Sequence, residues 1–218
     1  MHIESIRRGN GLICIVVVSN FSDFSFQPEL LDEFSILSGF LAVAVENITL
    51  RAKLKNMADT DGLTGLFNHR FFQEALDREI LRAARYDRPV SIILFDIDHF
   101  KKLNDTMGHP TGDSVLREIS LIAQNQLRNI DILCRYGGEE FVAILPETNT
   151  AGAVSVAERL RRAVSKHNFR DSENRPFGIT ISLGISSTPP AEDKKELIKN
   201  ADNALYRAKD SGRNTVAS

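Results

Sequence analysis

Cysteine, tryptophan and long apolar segments are scarce or missing in this sequence, and the lack of cysteines and of long apolar segments each excludes a class of protein. Tryptophan is absent from the 218 residues, and the two cysteines, Cys14 and Cys134, lie in separate apolar runs. A disulfide framework or a cysteine metal site needs more cysteines at regular spacings, so we expect buried thiols in a reducing compartment and a cytoplasmic protein. No run approaches the roughly 18 to 20 apolar residues that cross a bilayer, so we predict no membrane segment.

Neither sign of charge is in excess. The chain has 27 lysines and arginines against 29 aspartates and glutamates, a formal net charge of -2 at pH 7. The basic excess that favours nucleic acid or an acidic membrane surface is missing, so we predict no nucleic-acid partner. With 42% hydrophobic and 26% charged residues, the chain is long enough for one globular domain and an appendage.

The stretch Arg135–Phe141 carries two glycines and then two glutamates, between the apolar runs Ile130–Cys134 and Phe141–Pro146. Two glycines between strand-like runs predict a tight hairpin, because glycine adopts positive φ without steric cost. Glu139 and Glu140 then project from its tip, and adjacent ionised carboxylates repel unless a divalent cation lies beside them. The alternative is a solvated turn that happens to carry acids.

A second acidic group follows the apolar run Val90–Phe95, which is typical of a central strand buried on both faces. The run ends in Asp96 and Asp98, and Lys101 follows. Carboxylates and lysines at the end of a core strand can supply metal ligands and phosphate partners. Asp98 is also a natural N-cap for the next helix, so Asp96 is the better candidate for a metal ligand.

From residue 66 onward, helical and strand patterns predict an α/β (α+β) fold of the ferredoxin-like or palm type. We expect a central five-stranded, largely antiparallel sheet with its helices on one face. In this fold the strand ending at Asp96 lies beside the hairpin with Glu139 and Glu140, an arrangement suited to in-line attack at phosphorus with two metals. The other predicted elements are helices over 71–84, 114–127, 151–167 and 194–211, a turn-rich loop over 104–113, and a half-buried strand over 179–185.

Residues 1–26 predict one strand, Leu12–Ser19, and a polar turn, Asn20–Ser25. A single strand cannot form a sheet, so it belongs to a larger domain whose front is missing or pairs with another copy of the chain.

Residues 27–59 predict a long helix that begins near Pro28 and spans about 45 Å at about 1.5 Å per residue. Its apolar residues recur at threes and fours, which suits a two-stranded coiled coil, so we predict a dimerisation stalk. The alternative is a helix packed on its own domain. Residues 60–218 form the predicted main domain.

Five motifs, in this order, resemble the GGDEF diguanylate cyclases: Asp61–Asn68, Phe95–Lys101, Asn104–Asp113, Arg135–Phe141 and Tyr206–Asn214. The resemblance covers about residue 57 to the end. It implies a palm-type nucleotide cyclase domain that converts two GTP into cyclic di-GMP and two pyrophosphates, with two Mg²⁺ (or Mn²⁺) ions per active site. The region 11–54 also resembles the closing strand and last helix of a GAF sensor domain, without that family's ligand-binding strands and pocket.

The cyclase resemblance implies roles for individual residues. Glu139 is the favoured residue for helping to deprotonate the 3′-hydroxyl, and Asp113 suits the N1 and N2 donors of guanine, which favours GTP over ATP. Lysine and arginine near a helix end are otherwise favourable partners of the helix dipole. The implied sets are metal ligands Asp96, the Ile97 carbonyl, Glu139 and Glu140; guanine contacts Asn104, His109 and Asp113; phosphate contacts from the N–H groups of His99 and Phe100 with Lys101, Lys209 and Arg213; and an inhibitory cyclic di-GMP site of Arg128, Asp131 and Arg159.

Joining two identical nucleotides twice requires two facing protomers, so the resemblance also implies a homodimer through the long helix. Three other readings stay open at this point. The domain can be an idle GTP or cyclic di-GMP binding module, a structural dimerisation piece, or a palm-type enzyme that uses ATP.

Overall fold

The computed structural model describes residues 2–8, 11–18, 28–189 and 193–218, with side chains from residue 32 onward except for residues 34 and 51–58. The chain divides into two compact units, Met1–Ala58 and Asp59–Ser218. Among the described residues, none of the helices combines the length and the apolar character that a bilayer span requires.

The first unit contains a β-hairpin and most of a long helix. Strands β1 (His2–Arg8) and β2 (Gly11–Val18) pair antiparallel. The prediction of a single strand in this region was wrong, since β2 pairs with β1, and β1 escaped the prediction because it mixes charged and apolar residues without clear alternation. Helix α1 covers Pro28–Asp59. The turn predicted over Asn20–Ser25 lies outside the described residues.

The second unit is built on a five-stranded sheet in the order β4-β5-β3-β8-β9. All neighbouring strands are antiparallel except β8 and β9, so the predicted, largely antiparallel five-stranded sheet is confirmed. A separate small hairpin joins β6 (Phe169–Arg170) and β7 (Pro176–Phe177). The sheet strands are β3 (Val90–Ile97), β4 (Ile132–Gly137), β5 (Glu140–Pro146), β8 (Ile181–Thr188) and β9 (Val216–Ala217).

Helices cover both faces of this sheet, not one face as predicted. The side chains of Ile93 and Phe95 enter one core with α4 and α5, whereas Ile92 and Leu94 enter a second core with α2 and α6. A strand that is apolar at every position needs a cover on each side, which the unbroken run of β3 already indicated. The helices are α2 (His69–Tyr86), α3 (Phe100–Met107), α4 (His109–Gln126), α5 (Thr150–Lys166) and α6 (Lys194–Asp210).

Strand β8 is buried along almost its whole length, so the half-buried strand predicted from its alternation was wrong. Its small residues admit the backbone of α6. A Cβ on Gly184 would overlap the carbonyl oxygen of Ala201 and the amide nitrogen of Leu205. Glycine is required here by this close approach.

The loop predicted over residues 104–113 is helical instead. Helix α3 extends to Met107 and α4 begins at His109. Only Gly108 intervenes, with a φ of +82°, and Pro110 occupies the first turn of α4. The residue types that indicated a loop therefore belong to a helix-to-helix corner, where glycine and proline suit the end of one helix and the start of the next.

Candidate active site

The two glutamates stand at the tip of the β4–β5 hairpin, as the glycine pair predicted. Gly137 pairs with Glu140, and Gly138 and Glu139 form the turn. Gly138 has a φ of +51°, which a residue with a side chain adopts at a cost. Glu139 and Glu140 are both half-buried, so this tip is not a fully solvated turn.

The Arg135 side chain links the turn to Asp61 by hydrogen bonds. Its Nη1 donates to both carboxylate oxygens of Asp61 at 3.0 Å, while Nε and Nη2 donate to the carbonyl of Gly138 at 3.0 and 2.6 Å. Partial burial raises the pKa of Asp61, but hydrogen bonds from Thr64 and Arg135 outweigh it and hold that pKa below its usual 3.8. Asp61 and Arg135 lie in two separate sequence motifs that do not predict this contact, because no local pattern links residues so far apart.

The acid that closes the central strand lies next to the hairpin acids. Asp96 on β3 is directly opposite Glu140 on β5 in the antiparallel ladder. Such cross-strand neighbours have Cβ atoms about 4.5 to 5.5 Å apart. Burial and then the charge of Asp96 raise the pKa of both Glu139 and Glu140. The structure therefore brings Asp96, Glu139 and Glu140 into one electrostatic cluster.

A cation from α6 already stands at this cluster. Lys209 Nζ lies 2.9 Å from Asp96 Oδ2, and the Asp96 side chain is 8% exposed. Burial raises the pKa of Asp96 above 3.8 although Lys209 and Arg213 lower it. In the described part of the chain, no three His, Cys, Asp or Glu side chains are spaced as a ready-made metal cage. Carboxylate oxygens beside the Ile97 carbonyl are nevertheless the donor set that Mg²⁺ prefers.

The turn between β3 and α3 presents backbone N–H groups beside the acids. His99 is the N-cap of α3 with a φ of +60°, and its side chain makes no capping hydrogen bond. Phe100 begins the helix, and the exposed Lys101 follows in its first turn. The expectation that Asp98 caps this helix was wrong, because its carboxylate accepts hydrogen bonds from Thr180 and Ser182 of the β8 region instead.

Asn104 and Asp113 come from helices α3 and α4, which meet at the corner around Gly108. The Asn104 Oδ1 atom is buried and has no hydrogen-bond partner among the described residues. A Cβ on Gly112 would overlap that same oxygen, so α4 approaches Asn104 closely. Asp113, the next residue, is half-buried, while His109 is exposed at the start of α4. An orphaned buried acceptor with a carboxylate nearby is suited to a polar ligand.

Arg128, Asp131 and Arg159 also lie together. The N–H of Arg128 donates to Asp131 Oδ2 at 2.8 Å, and burial raises the pKa of Asp131 although the charges of Arg128 and Arg159 lower it. Arg159 Nη2 donates to the carbonyl of Gln126. Arg128 and Asp131, but not Arg159, line a cavity of about 300 Å³, together with Gly65, Leu66, Phe67, Gln124, Leu127, Asn129 and Leu133.

A sheet of this topology with carboxylates at the β3 end and at the hairpin tip defines a nucleotide-cyclase type of domain. The family model described as "Diguanylate cyclase, GGDEF domain" matches residues 58–215. This chain therefore belongs to the GGDEF family.

Similar proteins support the assignment. The response regulator PleD of Caulobacter vibrioides (strain NA1000 / CB15N) is 49% identical over 162 residues, which are 73% of this chain and 36% of that protein. The chain thus spans only about a third of the length of this curated relative.

Two solved structures share the fold. The coiled coil and GGDEF domain of DgcB from Caulobacter crescentus, in complex with c-di-GMP, matches with a TM-score of 0.77 and 33% identity over 84% of this chain and 98% of that chain. The active GGEEF domain of a diguanylate cyclase from Vibrio cholerae matches with a TM-score of 0.58 and 36% identity, over 63% of this chain and 86% of that chain.

Proposed function

We propose that this protein is a diguanylate cyclase that joins two GTP molecules into cyclic di-GMP and releases two pyrophosphates. The observation that carries the proposal is the cluster of Asp96, Glu139 and Glu140 at one sheet edge, with Lys209 beside it. Each 3′-oxygen forms a bond to the α-phosphorus of the other GTP, the bond to pyrophosphate breaks, and the hydroxyl proton leaves. A protomer therefore needs a proton acceptor, a place for metal-bound phosphates and a partner.

The acid cluster would hold two Mg²⁺ or Mn²⁺ ions through Asp96, the Ile97 carbonyl, Glu139 and Glu140. Bound divalent ions would supply charge stabilisation for the reacting α-phosphate and for the pyrophosphate that leaves. Glu139 is the residue we expect to take the 3′-hydroxyl proton, because its carboxylate lies at the tip of the hairpin, in the cluster that would hold the nucleotide's phosphates.

Lysine and arginine side chains complete the phosphate contacts. In the free protein Lys209 neutralises Asp96. We infer that Lys209 moves from this carboxylate to the triphosphate when metal-bound GTP arrives, because a cation on Asp96 would compete with it. Arg213, Lys101 and the N–H groups of His99 and Phe100 contact the same phosphates.

Guanine recognition falls to the corner between α3 and α4. The unpartnered Oδ1 of Asn104 can accept a hydrogen bond from the base. Asp113 suits the N1–H and N2–H donors of guanine, and adenine lacks this donor pair. His109 borders the nucleotide. These residue types favour GTP over ATP.

Helix α1 is the proposed dimerisation stalk, and together with the N-terminal hairpin it is proposed to end a sensor that receives the input signal. Helix α1 exposes large apolar side chains, including Ile36 (60%), Leu37 (66%), Phe40 (70%) and Ile48 (68%). A second copy that buries them would hold two catalytic domains at high effective concentration. The relative DgcB, whose solved structure includes a coiled coil, gives a parallel. We propose that β1, β2 and α1 end a GAF-like sensor of a cytoplasmic protein.

Product feedback is the proposed role of Arg128, Asp131 and Arg159. Arginine stacks on guanine and donates to it, and the adjoining cavity offers space for a base. Adding cyclic di-GMP is expected to raise the Tm of the wild-type protein but not that of Arg128→Ala. An equal shift in both proteins would exclude this site.

The central test is incubation of the purified chain with GTP and Mg²⁺. We expect two pyrophosphates per cyclic di-GMP, and loss of both products in Asp96→Asn and Glu139→Gln. ATP should neither react nor compete. A protein that binds a GTP analogue but releases no pyrophosphate would be the idle binding module instead.

A further inference from the structure

Asp98 is a buried carboxylate that the proposed reaction does not use. The residue is 4% exposed. Its Oδ2 accepts hydrogen bonds from Thr180 Oγ1 at 2.6 Å and from the N–H of Asn214 at 3.0 Å, and its Oδ1 accepts one from Ser182 Oγ at 2.6 Å. Its own N–H donates to the carbonyl of Thr180 at 2.9 Å. Three donors are enough to stabilise a buried charge without a bound cation.

These bonds join two segments that the proposed site needs at a fixed separation. Asp98 itself lies between the Ile97 carbonyl and the N–H groups at the start of α3. Asn214 belongs to the turn after α6 that also carries Arg213. One side chain therefore ties the backbone phosphate donors to the turn that brings the cationic side chains.

The turn after α6 needs this support because its backbone is strained. Arg213 and Asn214 have φ values of +63° and +46°, a conformation that costs free energy at Arg213 and that asparagine tolerates better than most residues other than glycine. Asn214 is held from two sides, by Asp98 at its N–H and by Arg161 Nη1 of α5, which donates to its Oδ1 at 2.9 Å. Such residues persist only where surrounding contacts fix them.

We propose that Asp98 is a positioning residue for the triphosphate. It sets the distance between the α3 N–H groups and the turn of Arg213, so that both reach the same phosphates, and it neither ligates metal nor accepts a proton. This inference rests on the proposed nucleotide site but adds a residue that touches no substrate.

The hydrogen bonds of Asp98 allow a substitution that distinguishes a positioning role from a direct role in metal binding or proton transfer. Oδ2 faces an N–H, which can only donate, whereas Oδ1 faces the Ser182 hydroxyl, which can donate or accept. An asparagine with its oxygen in the Oδ2 place and its NH₂ group toward Ser182 therefore keeps all three bonds without the negative charge. Asp98→Asn should preserve positioning, while Asp98→Ala should destroy it.

The measurements are the Kd for a non-hydrolysable GTP analogue with Mg²⁺, the KM and kcat for pyrophosphate release, and Tm. We expect Asp98→Asn to stay within about threefold of wild type in Kd and kcat. We expect Asp98→Ala to weaken analogue binding by about tenfold or more, since hydrogen bonds to a buried charge are lost on both connected segments.

A matched pair of serines controls for plain destabilisation. Ser182 is 0% exposed and Ser120 is 1% exposed, and each hydroxyl donates one hydrogen bond of 2.6 Å, to Asp98 and to the Leu116 carbonyl respectively. The two serine-to-alanine variants should lower Tm by similar amounts. Only Ser182→Ala should raise Kd and KM for the nucleotide.

Two results would overturn the proposal. If Asp98→Asn lost as much activity as Asp96→Asn at an unchanged Tm, the charge of Asp98 would act directly on metal or proton. If Ser182→Ala matched Ser120→Ala in Kd, the network would be merely structural. A wild-type protein that binds the analogue but releases no pyrophosphate would refute the cyclase activity and leave the affinity comparison intact.

Discussion

Replacing Arg135 with lysine is expected to loosen the hairpin that carries Glu139 and Glu140 and to leave the overall fold intact. The guanidinium donates two bonds to Asp61 and two to the Gly138 carbonyl. A lysine ammonium is a compact point charge without this fork, so it cannot serve both partners in the same way. Because Glu139 follows Gly138 directly, the freed turn displaces a proposed catalytic carboxylate.

The size of the effect follows from burial. The side chains of Arg135 and Asp61 are 16% and 22% exposed, so their pairing is worth more than a surface ion pair but less than a fully buried one. We expect a coupling energy of about 1 to 2 kcal/mol from a double-mutant cycle of Arg135→Lys and Asp61→Asn. The activity of Arg135→Lys should fall by about 10- to 100-fold, since displacing a catalytic group by about 1 Å has that scale of cost.

Chemical denaturation of the full chain, followed by far-UV circular dichroism, measures the coupling. Circular dichroism is needed because tryptophan is absent. The exposed pair Arg82 and Glu147, with side chains 54% and 51% exposed, is the matched control and should couple by less than about 1 kcal/mol. The lowered pKa of Asp61 means that its stabilisation is complete at neutral pH and is lost only as pH falls through that lowered pKa, below its usual 3.8.

The reasoning would be refuted if the Arg135 pair coupled no more strongly than the control pair at neutral pH. It would also be refuted if Arg135→Lys retained full activity, because the turn would then not depend on the guanidinium.

Further predictions concern the corner between α3 and α4, where guanine is proposed to bind, and the cluster of Asp96, Glu139 and Glu140. Gly112→Ala should weaken GTP-analogue binding, because its Cβ would displace Asn104 Oδ1, whereas Gly62→Ala, whose Cβ meets open space, should not. Equal affinities of the two variants in calorimetry would contradict this. Burial raises the pKa of Glu140, so the folded protein binds more protons than the unfolded one and loses stability as pH rises from 4.5 through the raised value. Glu140→Gln should therefore raise Tm at pH 7 without metal. A lower Tm would show that the ionised Glu140 carboxylate does not destabilise the folded protein. Mg²⁺ should raise the Tm of the wild type at pH 7 and raise it progressively less toward acid pH, since protons compete for the carboxylates. A Mg²⁺-induced rise in Tm that is constant with pH would exclude these carboxylates as ligands.

Some features were predictable because their signals are local. Two glycines predicted the hairpin, since positive φ is a property of single residues, and Gly138 adopts it. The unbroken run of β3 predicted a strand buried on both faces. Motifs in a fixed order indicated the family, and the family model matches residues 58–215.

Other features depended on contacts between residues distant in sequence, which no local pattern contains. Gly108 and Pro110 indicated a loop, but packing of α3 against α4 made them a corner between two helices. Asp98 looked like a helix cap, yet strand pairing places it beside Thr180, which outcompetes the helix terminus for its carboxylate.

The sequence by itself determined the longer helices, the central strand β3, the hairpin of β4 and β5 and the identity of the acids, because propensity and spacing act over a few residues. The predicted fold placed the end of β3 beside the hairpin, and the tertiary structure decided the exact pairing, in which the register of β3 against β5 sets Asp96 opposite Glu140. It also decided that Lys209 neutralises Asp96 and that Arg135 braces the turn, because charge pairing depends on distance in space and not along the chain.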